Sequence, residues 1–159
     1  MAKKGQTKIP REVVMVDFAR SPFGRASQKN PGFFAHMRGD DLAIAVVKEL
    51  LRRTKLDPKM IDEVTMGTPN LTGEQQNPGR TVALLTGRYE TRAISVDRAC
   101  TSSMAGAQFG IMAIQLGIED IVISGGNESC SHFPIPLFTA TTDMDTFIKD
   151  AIASGAAAR

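Results

Sequence analysis

One cysteine of this sequence lies where a thiol can act as a nucleophile. Cys100 follows the apolar stretch 93–96 by a short turn and precedes a helical stretch that begins at Ser102. Such a turn places the thiol at the amino end of a helix, where backbone N–H groups and the helix dipole favour a thiolate. The same N–H groups can hold an acyl oxygen. Cys100 is therefore the candidate nucleophile, and a basic group such as a histidine would assist it.

A purely structural role is the alternative for each of the two cysteines. Free cysteine is among the most buried residue types, so the local sequence around Cys100 also fits a small buried hydrophobe. Cys130 has no strand-to-helix turn ahead of it, which favours the structural interpretation there. The two cysteines are too far apart for a Cys-x-x-Cys pair and too few for a disulfide framework. We therefore expect no metal site and a reducing compartment.

The elements that must position Cys100 alternate along the chain. Apolar stretches predict strands, and helical spacing or capping predicts helices. The predicted strands are residues 13–18, 61–66, 93–96 and 120–124, and the predicted helices are 41–53, 78–87 and 102–116. This order predicts an α/β fold with a mostly parallel sheet and helices as crossovers.

Three details of these elements are specific enough to test. Residues 13–18 are β-branched and apolar, which predicts a strand buried on both faces of the sheet. Asp40 and Asn77 are predicted to cap the helices that follow them. Residues 102–116 are apolar nearly all round, which predicts a helix inside the molecule, and Gly125-Gly126 is expected to end the last strand.

Composition excludes several classes of protein. The chain has 159 residues, 42% of them hydrophobic and 23% charged, as in an ordinary globular domain. Its formal net charge is +2 and its basic residues are scattered, so nucleic-acid binding has no support. No apolar run approaches the roughly 20 residues of a membrane span, and the first residues lack the apolar segment of a secretory signal. We expect no membrane span and a cytoplasmic location.

Several separate segments resemble the N-terminal part of the thiolases. The resemblance runs in order from about Val13 to Pro136 and includes the acetoacetyl-CoA and 3-ketoacyl-CoA thiolases. The matching segments are residues 16–25 for the opening strand with its Arg-Thr-Pro-x-Gly continuation, 76–80 for Gln-Asn-x-Ala-Arg, 97–105 for the nucleophile segment Asn-x-x-Cys-x-Ser, and 124–129 for Gly-Gly-x-Glu-Ser.

The resemblance implies a fold, a site and a reaction. The fold is the incomplete N-terminal half of a three-layer α/β/α domain, with residues 1–12 as a flexible tail, 13–126 as the half-domain and 127–159 as the start of a loop region. Cys100 is the expected catalytic residue of a ping-pong acyl transfer between a 3-ketoacyl-CoA, or acetyl-CoA, and coenzyme A. Coenzyme A and acyl-CoA are expected as substrates, with no permanently bound cofactor.

The sequence departs from the family pattern at two positions of the nucleophile segment. Asp97 stands where the family usually has Asn, and Thr101 replaces a smaller residue. His132 lies where some β-oxidation members carry His-x-Pro, and we expect it to be structural or near the substrate entrance.

The family's activating histidine and second cysteine belong to a C-terminal half, and this sequence has no counterpart of either. An unpaired sheet edge and an uncovered side of the helix 102–116 are also expected. We therefore expect a homo-oligomer or a complex with the complementary half. The alternatives are a non-catalytic scaffold subunit and a β-ketoacyl synthase relative that takes acyl carrier protein.

Overall fold

The computed structural model describes residues 11–27, 29–69, 71 and 76–132. Its regular elements are α1 (Gly39–Thr54), β1 (Glu63–Gly67), α2 (Pro78–Thr86), β2 (Arg92–Val96), α3 (Ser102–Gln115) and β3 (Val122–Gly126), with short 3-10 turns at Pro58–Met60 and Cys130–His132. Six of the seven predicted elements are confirmed, with small shifts at their ends. Most of the predicted tail 1–12 and loop region 127–159 lies outside the described residues, so the domain division stays a prediction.

The sheet has three parallel strands in the order β2-β1-β3. Gly67 at the end of β1 is level with Val96 of β2 and Gly126 of β3. The three strands therefore end together, and we call this side of the sheet the carboxyl edge. The opposite side, where Glu63 is level with Arg92 and Val122, is the amino edge.

One face of the sheet is covered by α1 and α2. Val64 and Met66 point to this face, where they are almost fully buried. We call it the apolar face, and its cluster consists of Ala43, Ile44, Val47, Ile61, Val64, Met66, Val82, Ala83 and Ile123. Burial of these side chains is the main favourable contribution to folding here.

The other face of the sheet is covered by α3. Because side chains alternate along a strand, Thr65 points away from the apolar cluster and toward this helix. Its Oγ1 donates to the Gly106 carbonyl oxygen at 3.1 Å and lies 2.6 Å from Ser124 Oγ on β3. We call this side the hydroxyl face. With helices on both faces, the predicted three-layer α/β/α arrangement is confirmed.

Helix α3 is covered on one side only among the described residues. Ala105, Gly106 and Gly110 face the sheet and are buried, whereas Met104, Met112 and several other apolar side chains are exposed. The prediction of a fully internal helix is therefore wrong for the described chain, while the predicted uncovered side is present. No helix of the described residues is long and apolar enough to span a bilayer.

The predicted strand at residues 13–18 does not form. None of the described strands pairs with this segment, and Val14, Val16 and Phe18 are largely exposed. It lies instead beside the end of α1, where Asp17 forms a 3.6 Å ion pair with Arg53. A strand needs a neighbour for its N–H and C=O groups, and an apolar β-branched composition does not supply one.

The predicted cap at Asp40 is also corrected. Helix α1 begins earlier, with Arg38 at the N-cap position and Asp40 inside the first turn. Both carboxylate oxygens of Asp40 accept hydrogen bonds from the Arg38 guanidinium, at 2.9 and 2.8 Å. The buried carboxylate is thus held by a side chain, and it still suits the positive end of the helix dipole.

Candidate active site

Cys100 lies at the carboxyl edge, in the turn between β2 and α3, as the sequence predicted. Its side chain is exposed, which does not fit the alternative of a small buried hydrophobe. The first backbone N–H of α3 to bond four residues back is that of Ala105, which donates to the Thr101 carbonyl at 3.0 Å. Before it, the Thr101 and Ser102 N–H groups donate to the Arg98 and Ala99 carbonyls at 3.1 Å each, so the helix begins with a tighter turn next to the thiol.

Hydrogen bonds within the turn hold Cys100 in place. Asp97 Oδ1 accepts from the Ala99 N–H at 2.9 Å. Ser102 Oγ accepts from the Arg98 N–H at 2.8 Å and donates to the Ala99 carbonyl at 2.6 Å. Ala99 adopts a left-handed conformation with φ +48°, which is costly for a residue with a side chain. The turn is thus a strained backbone stabilised by its own side chains.

The two departures from the family segment both take part in this turn. The carboxylate of Asp97 is bonded to backbone two residues ahead, a role that an Asn oxygen also fills. The hydroxyl of Thr101 donates to the Arg98 carbonyl at 2.8 Å. Both residues therefore have a local structural role.

Glycines allow α3 to begin so close to the carboxyl edge. A Cβ on Gly67 would overlap the backbone of Ser102, and a Cβ on Gly126 would lie 2.7 Å from that of Ser103. The strand predicted at 120–124 does end at the glycine pair, but both glycines belong to β3, whose last residue is Gly126. Its lack of a side chain serves the contact with the helix rather than the end of the strand.

The loops that follow β1 and β3 are tied together at the same edge. The Asn127 N–H donates to the Gly67 carbonyl at 3.0 Å, and Thr68 Oγ1 donates to Glu128 Oε2 at 3.3 Å. Sequence reasoning included Glu128 only as part of a motif and missed Thr68, which is fully buried. The sequence signal that could have identified Thr68 is its position just after the predicted strand 61–66. The ends of parallel strands meet at one edge, so Thr68 and Cys100 are expected near the same edge.

Cys130 and His132 lie in the 3-10 turn after β3. The Cys130 side chain is exposed, so it is not the buried hydrophobe that was expected. A ring nitrogen of His132 lies 2.9 Å from the Ala35 carbonyl oxygen, which links the turn to the loop before α1. This contact agrees with the structural role predicted for His132. In the described ranges, no three His, Cys, Asp or Glu side chains are placed to hold a metal ion.

Charged groups collect at the amino edge, away from Cys100. Burial, and next the nearby Glu119 carboxylate, raise the pKa of Glu63, while Arg92 opposes them. The Ile121 N–H, which donates to Asp62 Oδ2 at 2.9 Å, is the main cause that lowers the pKa of Asp62. The guanidinium of Arg92 also pairs with Glu119. These two carboxyls with shifted pKa values lie at the edge opposite the thiol.

Two surface cavities of the described chain lie elsewhere. One of about 490 Å³ lies among residues 22–25 and 31–34, and one of about 300 Å³ lies between residues 19–22 and α1. Neither is lined by Cys100. The exposed thiol of Cys100 thus lies outside both of these cavities.

Comparison with known proteins gives a consistent result. A family model described as the N-terminal domain of thiolase matches residues 13–156. The 3-ketoacyl-CoA thiolase of Marinobacter nauticus is 41% identical over 129 residues, which are 79% of this chain and 32% of the relative. The acetyl-CoA acetyltransferase of Allochromatium vinosum is 37% identical over 121 residues, 76% of this chain and 30% of the relative.

Solved structures agree with these relatives. The acetyl-CoA acetyltransferase of Bacillus anthracis superposes with a TM-score of 0.61 at 32% identity, over 67% of this chain and 27% of that chain. The enzyme of the same name from Syntrophomonas wolfei gives 0.55 at 29% identity, over 57% of this chain and 23% of that chain. The chain spans about a third of the length of the curated relatives it matches.

Proposed function

Because this chain belongs to the thiolase family, matching its N-terminal domain, we propose that it supplies the nucleophile of a thiolase acyl-transfer site. The substrates are a 3-ketoacyl-CoA, or acetyl-CoA, and coenzyme A. The proposal carries over the chemistry named in its relatives, 3-ketoacyl-CoA thiolase and acetyl-CoA acetyltransferase.

The position of Cys100 is the observation that supports it as the nucleophile. Cys100 is exposed at the start of α3 and lies on the carboxyl edge of a parallel sheet. Ligands of open α/β sheets bind beyond the carboxyl ends of the strands. The amino end of a helix also stabilises negative charge, such as that on an acyl oxygen in the transition state.

The reaction consists of two transfers. The Cys100 thiolate attacks the 3-keto carbonyl, and the bond between C2 and C3 breaks. The released carbanion takes a proton and leaves as acetyl-CoA, while the remaining acyl group stays on Cys100 as a thioester. The thiolate of a second coenzyme A then attacks this thioester, which frees Cys100 and forms a shorter acyl-CoA. The reverse sequence is a Claisen condensation.

The proposed site needs groups from a second half-domain or partner chain. The proton transfers require a base and an acid, for which the family uses a histidine and a second cysteine of its C-terminal half. The exposed apolar side of α3, with Met104, Phe109 and Met112 among its residues, offers a surface for such a half or for a second copy. We therefore propose that the chain acts within an oligomer or complex.

The test is acylation of the thiol. The chain is incubated with acetyl-CoA, alone and with a complementary C-terminal half, and peptides are examined by mass spectrometry. We expect an acetyl adduct on Cys100 that Cys100→Ala removes and Cys130→Ala leaves. Both cysteines are exposed, so Cys130→Ala controls for simple thiol exchange.

The outcomes separate the alternatives. No adduct in the presence of the complementary half would contradict the proposal and favour a non-catalytic scaffold subunit. An adduct formed from acyl carrier protein thioesters but not from acetyl-CoA would favour a β-ketoacyl synthase relative. An adduct formed only in the complex would support a site shared between the two halves.

A further inference from the structure

A buried hydroxyl joins the middle of the sheet to the middle of α3. Thr65, in the central strand, is fully buried, and its Oγ1 donates to the Gly106 carbonyl at 3.1 Å. Ser124 Oγ on the neighbouring strand lies 2.6 Å from this hydroxyl and 3.5 Å from the same carbonyl. A helix carbonyl has a second lone pair beyond its intrahelical bond, so Gly106 accepts this contact without losing helix structure.

This contact fixes the position of α3 along the sheet. The helix residues that face the sheet, Ala105, Gly106 and Gly110, have small or absent side chains and pack closely against it, but these contacts are not directional. A hydrogen bond, in contrast, is directional and is lost within about an ångström of displacement. A shift of one helical residue, roughly 1.5 Å, would carry the Gly106 carbonyl away from both hydroxyls and leave Thr65 bonded to Ser124 alone.

The position of α3 in turn determines the shape of the turn that holds Cys100. Only five residues, 97–101, join the end of β2 to the start of α3. Ala99 within this turn is held at φ +48° by bonds to Asp97 and Ser102. Because the end of β2 is fixed in the sheet, any movement of α3 must be absorbed by this short, strained turn.

We propose that Thr65 is a positioning residue, whose hydroxyl sets the height of α3 over the sheet and thereby the placement of the Cys100 thiol at the helix terminus. Its importance for catalysis rests on the proposed function. Its effect on the thiol does not, because thiol placement is measurable without turnover. Thr65 does not touch the thiol, and it acts through Gly106 and the helix.

The test compares three variants of the whole chain by the rate at which iodoacetamide alkylates Cys100, relative to Cys130 in the same sample. Thr65→Val keeps the shape of the side chain and removes the hydroxyl, and we expect it to lower the ratio about two- to fivefold, the range of a helix-terminus interaction. Thr65→Ser keeps the hydroxyl and removes a methyl group, so the ratio should stay near that of the unchanged chain.

Thr91→Val is the matched control. Thr91 is also fully buried, and its hydroxyl donates to the Ile61 carbonyl at 3.2 Å, at the amino edge. It should lower stability and leave the alkylation ratio unchanged. An unchanged ratio in a folded Thr65→Val chain, or an equal change in all three variants, would overturn the proposal.

A fourth variant covers the case in which Thr65→Val does not fold. Ser124→Ala removes the partner hydroxyl on β3, and it should lower the ratio in the same direction by a smaller factor. No change in that variant would overturn the proposal. If no acetyl adduct forms on Cys100 in the acetyl-CoA test while the alkylation ratios change as expected, the proposed function is contradicted. The role of Thr65 is then still supported.

Discussion

The apolar face and the hydroxyl face lie on opposite sides of the same strands and pack in different ways. Val64 and Met66 bury large side chains against α1 and α2, where small displacements keep most of the contact area. Thr65 lies between them in sequence and makes a directional bond to α3. The comparison indicates that one face mainly provides stability and the other mainly sets position.

The largest expected effect is on the apolar face. Met66 is 2% exposed, and Met66→Ala should lower the free energy of unfolding by about 2 to 5 kcal/mol because it leaves a cavity. Urea denaturation measures this loss. Leu85→Ala, on the exposed side of α2, should change stability by less than about 0.5 kcal/mol. Similar losses in both variants would mean that the apolar face is not the main source of stability.

A smaller loss of stability is expected where the hydroxyl face meets the start of α3. Gly126→Ala places a Cβ 2.7 Å from that of Ser103, so the helix must move, at a cost of about 1 to 3 kcal/mol. Gly125→Ala is the adjacent control, since its Cβ would lie 3.4 Å from the flexible Met66 side chain. Thermal unfolding compares the two. Equal stability of the two variants would show that α3 can be displaced without cost. That result would contradict the view that the hydroxyl face sets the position of the helix.

The smallest effect concerns Glu63, which begins the hydroxyl face at the amino edge. Its raised pKa means that the folded state loses stability as the pH rises through the folded-state pKa of this carboxyl. Glu63→Gln cannot ionise, so it should be more stable than the unchanged chain at neutral pH and should lose that advantage in acid. Denaturation at a series of pH values measures this dependence.

Asp62 supplies the control of opposite sign. Its lowered pKa stabilises the fold above the unfolded-state pKa, and this contribution is lost as the pH falls through the folded-state pKa. Asp62→Asn should therefore be less stable than the unchanged chain at neutral pH and similar to it in strong acid. If the stability of both variants, relative to the unchanged chain, changed with pH in the same direction, the opposite pKa shifts of these two carboxyls would be contradicted.

Features fixed by neighbouring residues were predictable from the sequence. Asn77 caps α2 by accepting the Arg80 N–H at 3.2 Å, as the Asn-Pro pair predicted. The turn that contains Cys100 was also predictable, because an apolar strand and an apolar helix border it directly. Local patterns therefore gave most of the elements and the place of the candidate nucleophile.

Features that depend on distant contacts were not predictable in the same way. Residues 13–18 have the composition of a buried strand, but composition does not show whether a neighbouring strand is present. Thr65 has the β-branched side chain that suits a strand, and nothing local indicates that its hydroxyl meets a helix carbonyl 41 residues away. The role of such a residue appears only when sheet and helix are packed together.

The turn that holds Cys100 has a consequence for the order in which the site forms. The hydrogen bonds that close it join residues 97 to 102 to one another. These bonds can form once Ser102 has been made, whereas the contact that positions α3 also needs Ser124. A chain cut before β3 could therefore form the turn that holds Cys100, but it would lack the Ser124 contact beneath α3.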